Sequence, residues 1–96
     1  MKRMMLGYNA AIDDEVMGIL NDSALKNYTK LTKAYGKGAA SGTHLGNDIW
    51  PGLNNILYVA CGDDEAKQLV GRVRDARKTL DKEGIKAFTM PLEEMT

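Results

Sequence analysis

The stretch from Asp63 to Glu83 constrains this chain more than any other. Ala66, Leu69, Val70, Val73, Ala76 and Leu80 recur at helical spacing and make one apolar stripe. Acids open the stretch, where a helix N-terminus favours negative charge, and Arg77, Lys78 and Lys82 lie towards its end. Gly84 is the expected stop. Apolar runs flank this helix. Asn55 to Cys61 has the near-continuous apolar character of a central strand, and Ile85 to Met90 reads as a short strand ended by Pro91.

The N-terminal half repeats the same element order without repeating the sequence. Met4, Leu6 and Tyr8 alternate on one face of a strand. Asp13-Asp14-Glu15 then opens a helix whose stripe is Ile12, Val16, Ile19 and Leu20. Gly18 weakens that helix by about 1 kcal/mol relative to Ala, which predicts a close neighbour at its backbone. Tyr28, Thr29, Thr32 and Tyr35 favour a strand over 27–35, with Leu31 among lysines as in a strand with one wet face. The order β-α-β-β-α-β predicts an α+β, ferredoxin-like domain: a four-stranded antiparallel sheet with two helices on one face. The other face is left bare, and in a chain of 96 residues it is expected to pack against copies of itself.

Composition narrows the function. Lys plus Arg and Asp plus Glu both number 13, so the formal net charge is zero and the basic footprint of a nucleic-acid binder is missing. The third strand also lacks the aromatic-and-basic pattern of an RNA-recognition motif. The single cysteine, Cys61, excludes an intrachain disulfide and suits a reducing cytosol, so a cytoplasmic protein is expected. No apolar stretch approaches the ~20 residues of a membrane span. There is no nucleophile elbow, Cys-x-x-Cys or His-Glu-x-x-His pattern, and the paired acids read as helix starts; the chain is not read as an enzyme.

Residues 36–54 do not fit a minimal scaffold. Gly36, Gly38, Gly42, Gly46 and Gly52 fall in this one connection, together with the only histidine, His44, and the only tryptophan, Trp50. A hairpin needs about 2–5 loop residues, so a connection this long points to function or disorder. Trp50-Pro51-Gly52 favours a functional loop, with Trp50 as an anchor or a subunit contact. Gly36-Lys37-Gly38 offers backbone N–H groups and a cation to a phosphate, but lacks a P-loop's Gly-Lys-Ser/Thr ending; a flexible strand exit explains the same residues. Lys26, Lys30, Lys33 and Lys37 are either a solvated strand edge or a positive rim around an anionic ligand. His44 with Asp48, completed by Cys61, is a metal alternative whose spacing matches no zinc signature; Cys61 is otherwise a small core residue at a strand end.

Two segments resemble the PII-like superfamily of nitrogen-regulatory signalling proteins. Lys33-Ala34-Tyr35-Gly36-Lys37-Gly38 is similar to the Gly-Phe-Gly-Arg-Gln segment that opens that family's long T-loop. Gly84-Ile85-Lys86-Ala87-Phe88-Thr89-Met90-Pro91-Leu92-Glu93-Glu94 is similar to its Gly-Lys-Ile-Phe-Val-Leu-Pro-Val-Glu-Glu stretch. The resemblance implies a homotrimer that holds an adenine nucleotide in clefts between subunits and reports to a target protein through the loop. It implies ligand contacts at Gly36, Lys37 and Lys86; Gly38 is expected beside them in the ligand site, and His44, Asp48 and Trp50 are the loop residues expected to meet a partner. Gly38 stands where the family has glutamine, the Gly-Asp-Gly before the phosphate lysine is replaced, and the family's later Arg-containing tail has no counterpart before Thr96. These departures direct the expectation towards another nucleotide, a small anion or a metal. The metal version is a trimer related to the divalent-cation-tolerance proteins.

Overall fold

The computed structural model describes residues 1–25, 27–36, 53–80 and 84–96. Strand β1 (Lys2–Asn9) leads through a 3-10 turn (Ala10–Ile12) into helix α1 (Asp13–Asn21). Strands β2 (Thr29–Ala34) and β3 (Asn54–Cys61) follow, then helix α2 (Asp63–Ala76) and strand β4 (Ile85–Pro91). The four strands form one sheet in the order β2-β3-β1-β4, and every neighbouring pair is antiparallel. This is the expected ferredoxin-like α+β arrangement.

Alternation decides which side of the sheet is covered. Met4, Leu6 and Tyr8 of β1 are buried, with Leu57, Val59 and Cys61 of β3 and Ile85 of β4. The register sets Leu6 opposite Leu57 on one side and Ala87 on the other. Val16 and Leu20 of α1 and Ala66, Leu69 and Val73 of α2 complete the same core. The opposite face carries Met5, Tyr58 and Phe88 in one row, and Leu31, Ile56, Gly7 and Lys86 in the next. Phe88 is 45% exposed and Leu31 47%, so this second face is apolar and uncovered in the single chain. Arg3 lies 5.4 Å from the centroid of the Tyr58 ring on that face.

Three local expectations are corrected. Helix α2 ends at Ala76 rather than running to Glu83. The Ala76 carbonyl accepts from the Thr79 and Leu80 N–H groups and from the Thr79 hydroxyl, so the chain tightens into turns there. Gly84 stands at φ 69°, a left-handed bend that leads into β4 and not a helix stop. Gly18 has no close neighbour: a Cβ built there meets nothing within 4 Å.

Strand β2 is shorter than the 27–35 expected and is irregular. Leu31 pairs with Ile56 but Ala34 with Asn54, so three steps on β2 match two on β3. Lys33 takes up the extra residue at φ 59°, in a left-handed region that costs a side-chain-bearing residue roughly 1–2 kcal/mol.

Candidate functional site

The long connection between β2 and β3 leaves and re-enters the sheet at one point, because Ala34 and Asn54 are paired neighbours. The Asn54 side-chain amide donates to the Ala34 carbonyl at 3.1 Å, and the same nitrogen lies 3.3 Å from where a Gly36 Cβ would sit. A side chain at residue 36 would therefore push on Asn54, which gives Gly36 a steric reason at the base of the loop. Asn54 in turn pairs with Asn9, whose backbone N–H donates to the Gly84 carbonyl at 3.3 Å. Gly36, Asn54, Asn9, Gly84 and Lys86 thus share one end of the sheet.

Lys86 is exposed on β4 and points to the uncovered face. Its neighbour across the ladder is Gly7, and a Cβ there would meet nothing within 4 Å. Lys86 therefore stands beside a residue without a side chain on that face, with Ile56 on the far side of Gly7. Lys37, Gly38, His44, Asp48 and Trp50 lie outside the described residues.

Gly36 and Lys86 do not meet within one chain. Strands β2 and β4 are the two edges of the sheet, with β3 and β1 between them. Three strand spacings of about 4.8 Å separate the edges by about 14 Å. A small ligand touching both positions needs the β2 edge of one copy beside the β4 edge of another.

A polar cluster that sequence reasoning does not anticipate stiffens this end of the fold. The Tyr8 hydroxyl donates to Asp13 Oδ1 at 2.6 Å, and the Asn55 side-chain amide donates to the same oxygen at 3.0 Å. Lys30 Nζ bonds the carboxylate at 2.7 and 2.8 Å. One carboxylate at the start of α1 therefore ties together β1, β2 and β3. Hydrogen bonds from Lys30 and Tyr8 hold the Asp13 carboxyl below the usual carboxylate range, against the opposing effect of burial. Burial, then the Asp13 contact, pushes the Tyr8 hydroxyl well above the ordinary tyrosine value, so it stays a donor. Local sequence marks Asp13 only as a helix-start acid. The signal that could have found its second role is the acid-free lysine series to which Lys30 of β2 belongs.

That pairing also settles part of the lysine reading. Lys30 is engaged by Asp13 and is not a free member of a positive rim, while Lys33 occupies the bulge. Lys26 lies outside the described residues. For the metal alternative, Cys61 is buried at 4% exposure, and burial followed by the nearby Glu65 and Asp63 charges raises its thiol pKa. A protonated buried thiol is a poor ligand. Among the described residues, no cluster of three His, Cys, Asp or Glu side chains could hold a metal ion, and no helix is long and apolar enough to cross a membrane.

Solved structures carry the same arrangement across most of the chain. CPII of Thiomonas intermedia K12, a nitrogen regulatory PII-like protein bound to ADP, AMP and bicarbonate, superposes with a TM-score of 0.68 at 16% identity, covering 99% of this chain and 92% of that one. The same protein bound to ADP, AMP and acetate gives 0.65 at 18% identity, over 93% and 82% of the two chains. A protein of Thermus thermophilus described as PII-like gives 0.65 at 16%, over 92% and 82%. The chain has the PII-like fold. Neither a family sequence model nor a characterised protein sequence matches it, so the likeness lives in the backbone and not in residue identity. The resemblance read at 33–38 and 84–94 falls on the two segments that bracket this end of the PII-like sheet, the β2 exit and β4.

Proposed function

We infer that the chain is a PII-like signalling protein that binds a small anionic ligand between its own copies and acts on a target protein through residues 36–54. The observation that carries this reading is the placement of Gly36 and Lys86 at one end of the sheet but on opposite edges. A homotrimer that sets one copy's β2 edge beside the next copy's β4 edge builds a cleft with bare backbone on one wall and an ammonium on the other. The uncovered apolar face, with Met5, Tyr58 and Phe88, supplies the burial that drives such assembly. The PII-like neighbour CPII binds ADP, AMP and bicarbonate, which makes nucleotides and small anions the ligands to try first.

In this reading Lys86 supplies charge to the anion, and Gly36 lets backbone approach it. Lys37 and Gly38 would follow Gly36 into the site, while His44, Asp48 and Trp50 would face the target. The ligand changes the loop's affinity for that target by binding one arrangement of the loop better than another. The cytoplasm, expected from the single cysteine, is where such a regulator would act. Nothing in this scheme requires bond-breaking chemistry.

The test is a thermal-shift series with ADP, AMP and bicarbonate at fixed protein concentration. A ligand at 100 times its Kd stabilises by about 2.7 kcal/mol. For a domain of this size that is a shift of roughly 10–20 °C. Lys86→Ala should reduce the shift while leaving the unliganded melting temperature within about 2 °C, since an exposed lysine contributes little to folding. Wild-type protein unmoved by all three at millimolar concentration would sink the anion reading, and a shift with copper or zinc instead would favour the metal reading.

A further inference from the structure

We propose that the outer groove between α1 and α2 is a docking surface for a basic amphipathic helix of a partner protein. The groove has a volume of about 510 Å³ and is lined only by residues of the two helices and of the turns that follow them. Its apolar lining is Ile19 and Leu80, only partly buried by the core, with Gly18 beside Ile19. Three carboxylates, Glu15, Asp22 and Asp75, line its rim against one guanidinium, Arg72. Lys78 sits 3.7 Å from Asp75 on the outside, with both side chains largely exposed, a pairing weak enough to exchange.

Gly18 is the helix glycine that lines the groove. A glycine inside a helix costs about 0.8–1 kcal/mol relative to alanine. That cost is ordinarily offset by a close backbone approach, yet among the described residues nothing comes within 4 Å of a Cβ at residue 18, as is also true of Gly71 in α2. The missing side chain instead opens the groove floor. A second helix can then lie close to α1, with its apolar ridge between α1 and α2.

Charge selects the occupant. From Met4 to Leu25 the chain carries four acids and no lysine or arginine, so the whole α1 wall is acidic. Helix α2 and its end carry Arg72, Arg74, Arg77 and Lys78, but the residues that line the groove hold three carboxylates to one guanidinium, which disfavours an anionic membrane surface or a nucleic acid there. A helix with an apolar stripe flanked by lysines matches both the floor and the rim. A second copy of this chain is a poorer match, because none of its exposed large apolar side chains among the described residues lies on a helix.

The proposal is independent of the anion site and is tested without it. The probe is a labelled 18-residue helical peptide with leucines at i, i+4, i+7 and i+11 and lysines beside them. Fluorescence anisotropy should show saturable binding to the full-length protein, and amide chemical-shift changes should centre on residues 18–19 and 76–80. A peptide of identical composition with the leucine stripe scrambled should bind at least about tenfold more weakly. Gly18→Leu should weaken the matched peptide by a similar factor while the circular dichroism melt is unchanged or raised. If Gly18→Leu fails to fold, the surface double variant Glu15→Lys/Asp22→Lys provides the same readout. Equal binding of both peptides, shifts centred on the sheet face, or no effect of either variant overturns the proposal. So does a change of oligomeric state in Gly18→Leu by sedimentation, which would make a second copy the occupant.

Discussion

Replacing Asp13 with alanine should cost about 3 kcal/mol. The figure follows from what the carboxylate holds. Tyr8 is 2% exposed, and its hydroxyl donates to Asp13 at 2.6 Å, so alanine strands a buried donor at a cost of about 1–3 kcal/mol. Lys30 and Asp13 are 26% and 28% exposed, so that pair is neither fully screened nor fully buried and adds about 1 kcal/mol. Loss of a negative charge from the first turn of α1 removes about 0.5 kcal/mol more. Urea unfolding at one fixed protein concentration measures the difference, with concentration held because any self-association would add to stability. Asp13→Asn keeps an acceptor for Tyr8 and should cost about half as much. A double-mutant cycle of Tyr8→Phe with Asp13→Ala should give a coupling of about 1–2 kcal/mol. A loss below about 1 kcal/mol for Asp13→Ala, or additivity of the two substitutions, would refute the claim that this carboxylate organises the end of the sheet.

The same carboxylate predicts a pH dependence. Its folded-state pKa lies below the unfolded value of about 3.9, so its contribution is complete above about pH 5 and fades as pH falls through the folded value. Stability of wild type and Asp13→Asn should therefore converge on acidification, and parallel curves would contradict the pairing. Lys33→Gly relieves a left-handed residue in the β2 bulge and should stabilise by about 0.5–1 kcal/mol in urea unfolding. Gly18→Ala should stabilise by a similar amount, since its Cβ meets nothing, and a loss would mean the groove is tighter than described. Cys61 should react with a thiol reagent at least about tenfold more slowly in the native protein than in urea, because burial raises its pKa and blocks access.

Local periodicity made much of the fold legible. The stripe of Ala66, Leu69 and Val73 is buried as its spacing requires, and the alternation of Met4, Leu6 and Tyr8 places all three in the core. Acids at 13–15 and 63–65 mark both helix starts, because the N-terminal dipole acts within the first turn. Element ends were less legible. The end of α2 depends on Thr79 competing for the Ala76 carbonyl, and the β2 bulge on how β2 must bend to reach β3.

For the proposed anion site, sequence pointed to Gly36 and Lys86 but not to their relation. That relation depends on strand order, which is set by packing between residues far apart in the chain: β1 lies between β3 and β4, so the two positions fall on opposite edges. The role of Asp13 was hidden for the same reason, since Tyr8, Lys30 and Asn55 reach it from three strands. Gly18 shows the limit most directly. Its cost to α1 can be read from the sequence, but whether that cost makes room for a neighbour inside the chain or opens a groove to something outside depended on where α2 came to rest. Spacing and charge act over a few residues and are written into the chain order. Which surfaces meet, and which are left facing solvent, is decided only when the whole core has packed.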